Sequence, residues 1–378
     1  MQNIFKNKTT IIIFSICMCL FNFLLLKASA SKSYFKDSKI LADGITHKKT
    51  KRCLQGKPAI VNVIVVDAKK NNTVKPSFGS YFINALNNVK EITHIEDAIV
   101  GINASYFKPD SGVPLGASMI DKKIITGPLY KRVAFGITPD KKYQMQKIDI
   151  KGEINVGKKK LPLFNINQPV FSNNRFTVFT DQWGTCTPKT SIYYSHIAVK
   201  DGMIKNIKNS SIFIPKGGFV IVGPNKFFPK YIGKKDKINY SVKLMPDKWN
   251  DMQYALGGGP FLVKNGRKFI DKQNFTPSFL WKKLPRTAIG YTKAGTLVIV
   301  TIDGYKKGIS EGATMSELSQ IMWDLGCYNA MNLDGGTSTQ MVIKGKLVNY
   351  SKIKDGYKVT NALVIIAPIL GTQSLNIK

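Results

Sequence analysis

The stretch Met331-Asn332-Leu333-Asp334-Gly335-Gly336-Thr337-Ser338-Thr339-Gln340-Met341 carries the densest chemistry in the chain. Before it, Tyr328 to Leu333 reads as a short, mostly apolar strand; after it, Gln340 to Ile343 starts another. Between the two lie one carboxylate, two glycines and three hydroxyls. Paired glycines let the backbone reach conformations that other residues avoid and let a ligand approach the main chain. Successive N–H groups in such a turn can form a concave anion-binding nest, and the hydroxyls add donors that rotate to suit a ligand. Asp334 falls at the strand end, at the mouth of the turn. Two readings of the pattern stand side by side: a β-hairpin turned by Asp-Gly, and a turn that binds phosphate or sugar.

Working outward, 378 residues at 43% hydrophobic content suffice for a buried core, in one large domain or two. Charge is lopsided, with 56 Lys and Arg against 23 Asp and Glu, a formal net charge of +33. Such a surface favours anionic partners. The N-terminus counts against nucleic acid as that partner. Lys6 and Lys8 precede an apolar run from Ile11 to Leu26, and Ala28-Ser29-Ala30 follows as a small-residue cleavage site. These are the three parts of a signal peptide over residues 1–30, so the chain is expected to be exported, to a periplasmic or secreted location. Cys17 and Cys19 would leave with it. Cys53, Cys186 and Cys327 remain, enough for one disulfide and one free thiol in an oxidising compartment.

Residues 31–57 are polar, with a basic run from Lys48 to Arg52, and are expected to be a flexible basic lead-in to a domain over 58–370. Ala59 to Val66 is a β-branched run that predicts a buried strand. The apolar spacing at Phe82, Ala85, Leu86 and Val89 predicts a helix over Ser80 to Lys90. Ala98 to Asn103 predicts a strand ending on an amide that could either meet a sugar or phosphate oxygen or tie down a local turn. Short strands continue through the basic Lys122–Lys160 region, whose lysines read as a solvated face. Further strands are expected at Phe176–Thr180, His196–Val199 and Ile212–Val222, with Trp183 as a core residue at a loop.

Leu256-Gly257-Gly258-Gly259-Pro260 suggests a tight backbone passage, with Gly258 at its centre, and Asn265-Gly266 a hairpin turn. Pro285 to Gly290 opens a strand and Thr296 to Ile302 returns it, ending at Asp303. Arg286 is either a planar fork for a phosphate or a surface residue. Met315, Leu318, Ile321, Met322 and Leu325 share one face of a helix, with Thr314 and Glu317 as a capping box and Gly326 as its stop. The cap explains Glu317 structurally, which discounts it as a catalytic acid.

Three histidines, none in H-E-x-x-H, argue against that zinc protease class. There is no G-x-S-x-G elbow, no P-loop and no dinucleotide fingerprint. Carboxylates, hydroxyls, amides, glycine backbone and Arg remain, a set suited to sugars and phosphates.

Six blocks in order, Gly101 to Phe107, Leu256 to Pro260 with Asn265-Gly266, Pro285 to Gly290, Thr314 to Leu318, Asn332 to Gly336 with Ser338, Thr339 and Met341, and Asn361 to Leu363, resemble the phosphodiester glycosidase domain family. The resemblance runs from about Ala59 to Ala367. It departs from the family pattern at Thr337, where a third Gly is usual, at Ala104-Ser105, often Gly-Gly, and at Tyr357-Lys358, near which an Arg is common. It implies an α+β fold of mainly antiparallel or mixed sheets packed by a few helices. It also implies hydrolysis of a sugar–phosphate diester, with a phosphorylated or anionic glycan as substrate and peripheral contact with anionic envelope surfaces. Asp334 is then the acid/base or electrostatic stabiliser and Asp303 a second carboxylate. Arg286, with the N–H groups of Gly335 and Gly336, would hold phosphate; Asn103, Thr337, Ser338 and Thr339 would orient sugar or phosphate, with Gly258 lining the site. The pattern shows no cofactor and no ligand set for a divalent metal, for which Asp334 would be the anchor. The rival expectation is a non-catalytic binder of anionic envelope glycans.

Overall fold

A computed structural model describes residues 37–227 and 237–368. The signal peptide expected over 1–30 lies outside the described residues. The domain is built from strands. Its largest sheet has eight, in the spatial order Asp37–Ala42, Ile45–Leu54, Lys57–Val66, Leu297–Ile302, Arg286–Thr292, Cys327–Asn332, Phe261–Lys264 and Arg267–Lys268. Every pairing in it is antiparallel. The β-branched run predicted at Ala59 to Val66 is a central strand, buried on both faces, as continuous apolar strands are.

The two faces of this sheet have different coverings. On one, Val61, Val63, Ala288, Val300 and Ala330 pack against Leu318, Ile321 and Met322 of the Met315–Asp324 helix. Each of the larger side chains among them, Val, Leu, Ile or Met, contributes on the order of 1.5–3 kcal/mol by leaving water. On the other, Ile64, Ile289, Ile299, Met331 and Leu333 meet Val100, Ile102, Met341, Leu363 and Ile365 of a five-stranded antiparallel sheet. The outer face of that second sheet is closed by Val89 and Ile92 of the Val89–Ile95 helix. The result is a helix–sheet–sheet–helix stack. A five-stranded sheet around Val133–Ile137 adds Val133 and Phe135 to the central core, and a seven-stranded sheet over 149–245 carries its own. That sheet contains one parallel pairing, between Lys159–Ile166 and Phe176–Thr180. The α+β expectation therefore holds in its broad sense, with sheet predominating and three α-helices among the described residues.

Three local expectations are corrected. Residues 37–54 are not a loose lead-in: they form a hairpin whose inner strand pairs with Lys57–Val66 over ten positions, from Ile45 to Leu54. Alternating burial along Ile45–Leu54 is the signature of a strand with one wet face, which Lys49 and Lys51 occupy. The helix expected over Ser80 to Lys90 starts only at Val89. Asn88 caps it by accepting from the Glu91 N–H at 2.8 Å, and Asn87 is held outside by a two-way main-chain bridge to Val359. Finally, Asp334-Gly335 does not turn a hairpin. Cys327–Asn332 belongs to the eight-stranded sheet and Met341–Ile343 to the five-stranded one, so the turn carries the chain across the seam between them. Among the described residues no helix is long and apolar enough to cross a membrane, and Cys53, Cys186 and Cys327 are unpaired thiols.

Candidate active site

The seam turn is held by buried amides. Asn103 ends the Val100–Asn103 strand, and its Nδ2 donates to the Asp334 carbonyl at 2.7 Å. Its Oδ1 accepts from Thr287 Oγ1 at 2.8 Å and from the Gln340 N–H at 3.0 Å. Asn349 clamps the far side, accepting from the Met341 N–H and donating to the Thr339 carbonyl. Asn361 holds the Ser105 main chain, and Gln340 reaches the Tyr357 carbonyl. Buried amides of this kind are stabilising when fully partnered. Asn103 thus ties down the turn, the second of its two sequence readings.

The glycines follow the same logic. The Gly335 N–H is taken by Asp334 Oδ1 at 2.9 Å, and the Gly336 N–H by the Pro285 carbonyl at 2.8 Å. The expected anion nest is therefore occupied by the protein itself. A Cβ at Gly335 would stand 2.9 Å from the Pro285 carbonyl oxygen, and Gly336 has φ +63°; close approach and left-handed backbone explain these two positions. A Cβ at Gly258 would meet the Asn332 carbonyl oxygen at 2.7 Å, which accounts for that glycine by packing. Ser338 and Thr339 are buried under the turn, and Thr337 is its exposed residue.

Arg286 departs from one of its two sequence readings. It is fully buried, so it is no surface residue. Its Nε donates to the Ala313 carbonyl and its Nη2 to the carbonyls of Phe279 and Lys282, each at 2.8 Å. The guanidinium pins the Pro277–Trp281 helix and the lead into Met315–Asp324 beneath the turn. Burial depresses its pKa to about 10, which leaves it charged at neutral pH.

Asp334 is the group left with reactive character. Its carboxylate accepts from the Gly335 N–H and bonds the Ser338 side chain, and no cation pairs with it among the described residues. Burial raises its pKa to about 7 despite those two bonds. Beside it, Tyr106 is locked: its hydroxyl donates to the Gly259 carbonyl at 2.8 Å and accepts from Asn332 Nδ2 at 2.5 Å. The nearby Asp334 charge adds to the burial that lifts the Tyr106 pKa. The Tyr106 ring packs on Phe275 and Phe279, and the Arg132 guanidinium carbon lies 3.9 Å from the centre of the Phe275 ring and 5.8 Å from that of Tyr106. On the other flank, Pro285, Gly304, Tyr305, Gly336, Thr337 and Tyr350 line a small pocket.

Among the described residues no hydrogen bond joins Asp334 to the expected second carboxylate, Asp303. Asp303 ends the Leu297–Ile302 strand two strand spacings away, on the order of 10 Å. It is buried, its Oδ1 has no partner, and burial lifts its pKa to about 6 against the Tyr350 main chain and the Lys49 and Lys306 charges. Asp334 instead faces Ser338 and Tyr106. Sequence reasoning passed over Tyr106 and Arg132. Tyr106 stood inside a block already singled out, but Arg132 was hidden among lysines of a basic region, where charge alone does not tell a buried cation from a solvated one.

Residues 193–366 match the family model described as phosphodiester glycosidase. That match spans just under half of the chain, 174 of its 378 residues. It contains Asp334, Asp303 and Arg286, whereas Asn103, Tyr106 and Arg132 precede it. Over 118 residues, 31% of this chain, the sequence is 42% identical to the SPbeta prophage-derived uncharacterized protein YomE of Bacillus subtilis, of which the match covers 18%. Over 115 residues, 28% of this chain, it is 30% identical to the human N-acetylglucosamine-1-phosphodiester alpha-N-acetylglucosaminidase, covering 22% of that protein. The chain thus spans about a fifth of the length of these curated relatives. Among solved structures, the fold resembles a hypothetical protein from Synechocystis, with TM-score 0.80 at 21% identity over 88% of this chain and 64% of that one. It also resembles the zebrafish N-acetylglucosamine-1-phosphodiester alpha-N-acetylglucosaminidase catalytic domain, with TM-score 0.51 at 17% identity over 89% of this chain and 86% of that one. These two likenesses speak for the fold alone.

Proposed function

We propose that this chain is an exported phosphodiester glycosidase that hydrolyses a sugar–phosphate–alcohol diester within a phosphorylated or anionic glycan. Water adds to the anomeric carbon, the bond from that carbon to the bridging phosphate oxygen breaks, and the phosphomonoester departs with the electron pair. One proton of the water is taken up by base or solvent. A phosphate leaving group needs little protonation, so one carboxylate serves where ordinary glycoside hydrolysis uses two.

The observation that carries this reading is Asp334: a carboxyl group at a sheet seam, without a paired cation among the described residues and with its pKa raised to about 7. A group titrating near the working pH is suited to exchange protons or to face a developing oxocarbenium. Its ionised form is the active one here, as water activation and cation stabilisation both require negative charge. Tyr106 and Asn332 fix the wall beside it, and Thr337 and Tyr305 line a small pocket on the other flank of the turn. Among the described residues no three His, Cys, Asp or Glu side chains gather as a metal site, and the scheme above uses only the chain's own groups.

Purified protein incubated with synthetic sugar-phosphate diesters should release free sugar and phosphomonoester in equal amounts. Salt-sensitive retention on a polyanion with no product from any diester would instead favour the binder of anionic glycans, for which the net charge of +33 is the supporting observation.

A further inference from the structure

If the substrate is a phosphodiester, a cation must meet its charge, and Arg286 already spends its Nε and Nη2 on main-chain carbonyls. Arg132 is differently placed. It is half-buried, its Nε is shielded from water and has no hydrogen-bond partner, and no carboxylate pairs with it among the described residues. Its planar group lies on the Phe275 ring, with Tyr106 and Tyr130 within 6 Å. Taking a guanidinium this far out of water without an anion is costly. The aromatic faces offset part of that cost, and they also fix the plane of the fork. The residues that deliver it, Tyr130 and Lys131, both have left-handed backbone, φ +55° and +49°, a strained arrangement that the surrounding packing must maintain. Arg132 also lines a crevice with Gly116, Gly257 and Gly258, beside the glycine passage whose Gly259 carbonyl anchors Tyr106. Tyr106 thereby adjoins both Arg132 and Asp334.

We propose that Arg132 is the anion-binding residue of this site, its stacked guanidinium holding the phosphate of the substrate next to the carboxylate of Asp334. The inference deepens the glycosidase reading and rests on it for the identity of the ligand, but the anion site itself can be tested without turnover.

The probe is inorganic phosphate, titrated at physiological ionic strength so that scattered surface lysines are screened. In the wild-type chain, phosphate should shift the Arg132 Nε–H resonance selectively. Arg132→Met should weaken phosphate binding tenfold or more, and Arg132→Lys should weaken it too, because it keeps charge but loses the planar fork. For any diester that is cleaved, Arg132→Lys should raise KM more than it lowers kcat. An unmoved Arg132 resonance on saturation with phosphate, or equal phosphate affinity in a folded Arg132→Met variant, would overturn the inference while leaving the glycosidase reading intact. Phosphate binding that depends on Arg132, with no diester cleaved, would support the anion site and count against the glycosidase.

Discussion

Two side chains behave in opposite ways at the residue scale. The Asp334 pKa is raised on folding, so the folded chain holds a proton that the unfolded chain has released between about pH 4 and 7. Stability therefore falls as pH rises through that window. Asp334→Asn cannot titrate, and urea melts should find it more stable than wild type at pH 8 by about 2–4 kcal/mol, with little difference at pH 4. Arg286 has the reverse character. Arg286→Met strands the carbonyls of Phe279 and Lys282 and leaves that of Ala313 with only the Leu284 N–H. It should cost about 3–5 kcal/mol of unfolding free energy, measured by urea melts. Stabilisation on removing Asp334 together with destabilisation on removing Arg286 is the pattern expected when one is a site group and the other a strut.

The seam turn owes its shape to strands on both sides, which is why the sequence left its nature open. Asp-Gly fits a hairpin as well as a crossover, and only the assignment of Met341–Ile343 to a different sheet from Cys327–Asn332 decides between them. The Met315–Asp324 helix was legible because every signal agreed: the cap at Thr314, Glu317 three residues on, apolar spacing, and Gly326 as stop. Both hydrogen bonds of the predicted capping box are present, with Thr314 N–H to Glu317 Oε2 at 2.8 Å and Glu317 N–H to Thr314 Oγ1 at 3.2 Å. Thr314→Ala should cost about 1 kcal/mol in thermal or urea melts. The helix expected at Ser80–Lys90 lacked such agreement. Its apolar spacing was satisfied instead by packing of irregular chain, with Ile83 N–H donating to the Gln182 carbonyl and Asn87 bridged to Val359. Site roles were less legible for a similar reason. An Asn, a Gly or an Arg in a motif reads the same whether its donors face a ligand or the protein; here the bonded donors of Asn103 and Gly335, and Nε and Nη2 of Arg286, face the protein.

Across the whole molecule, titrating groups oppose one another. His196 is buried between Thr187 and Thr190, and its pKa is lowered to about 4. The unfolded chain binds its proton more readily, so this group makes stability rise from pH 4 to 6.5. Asp334 and Asp303, raised to about 7 and about 6, push the other way over much of the same range. The two carboxylates together outweigh the single imidazole, so wild-type stability should fall by about 2–3 kcal/mol between pH 4 and 6.5. The double variant Asp303→Asn, Asp334→Asn should gain about 3 kcal/mol between pH 4 and 6.5 as the His196 contribution stands alone; parallel urea melts of the two proteins would show the divergence.

The central claim is that ionised Asp334 does the chemistry, and the pH dependence of kcat/KM on a cleavable sugar-phosphate diester tests it most directly. The wild-type rate should rise with pH to a plateau, with an inflection near 7. Asp334→Asn should lose about 10²–10⁴-fold on the plateau, lose the inflection, and keep its fold by circular dichroism. A folded Asp334→Asn variant with wild-type kcat/KM and the same pH profile would contradict the claim.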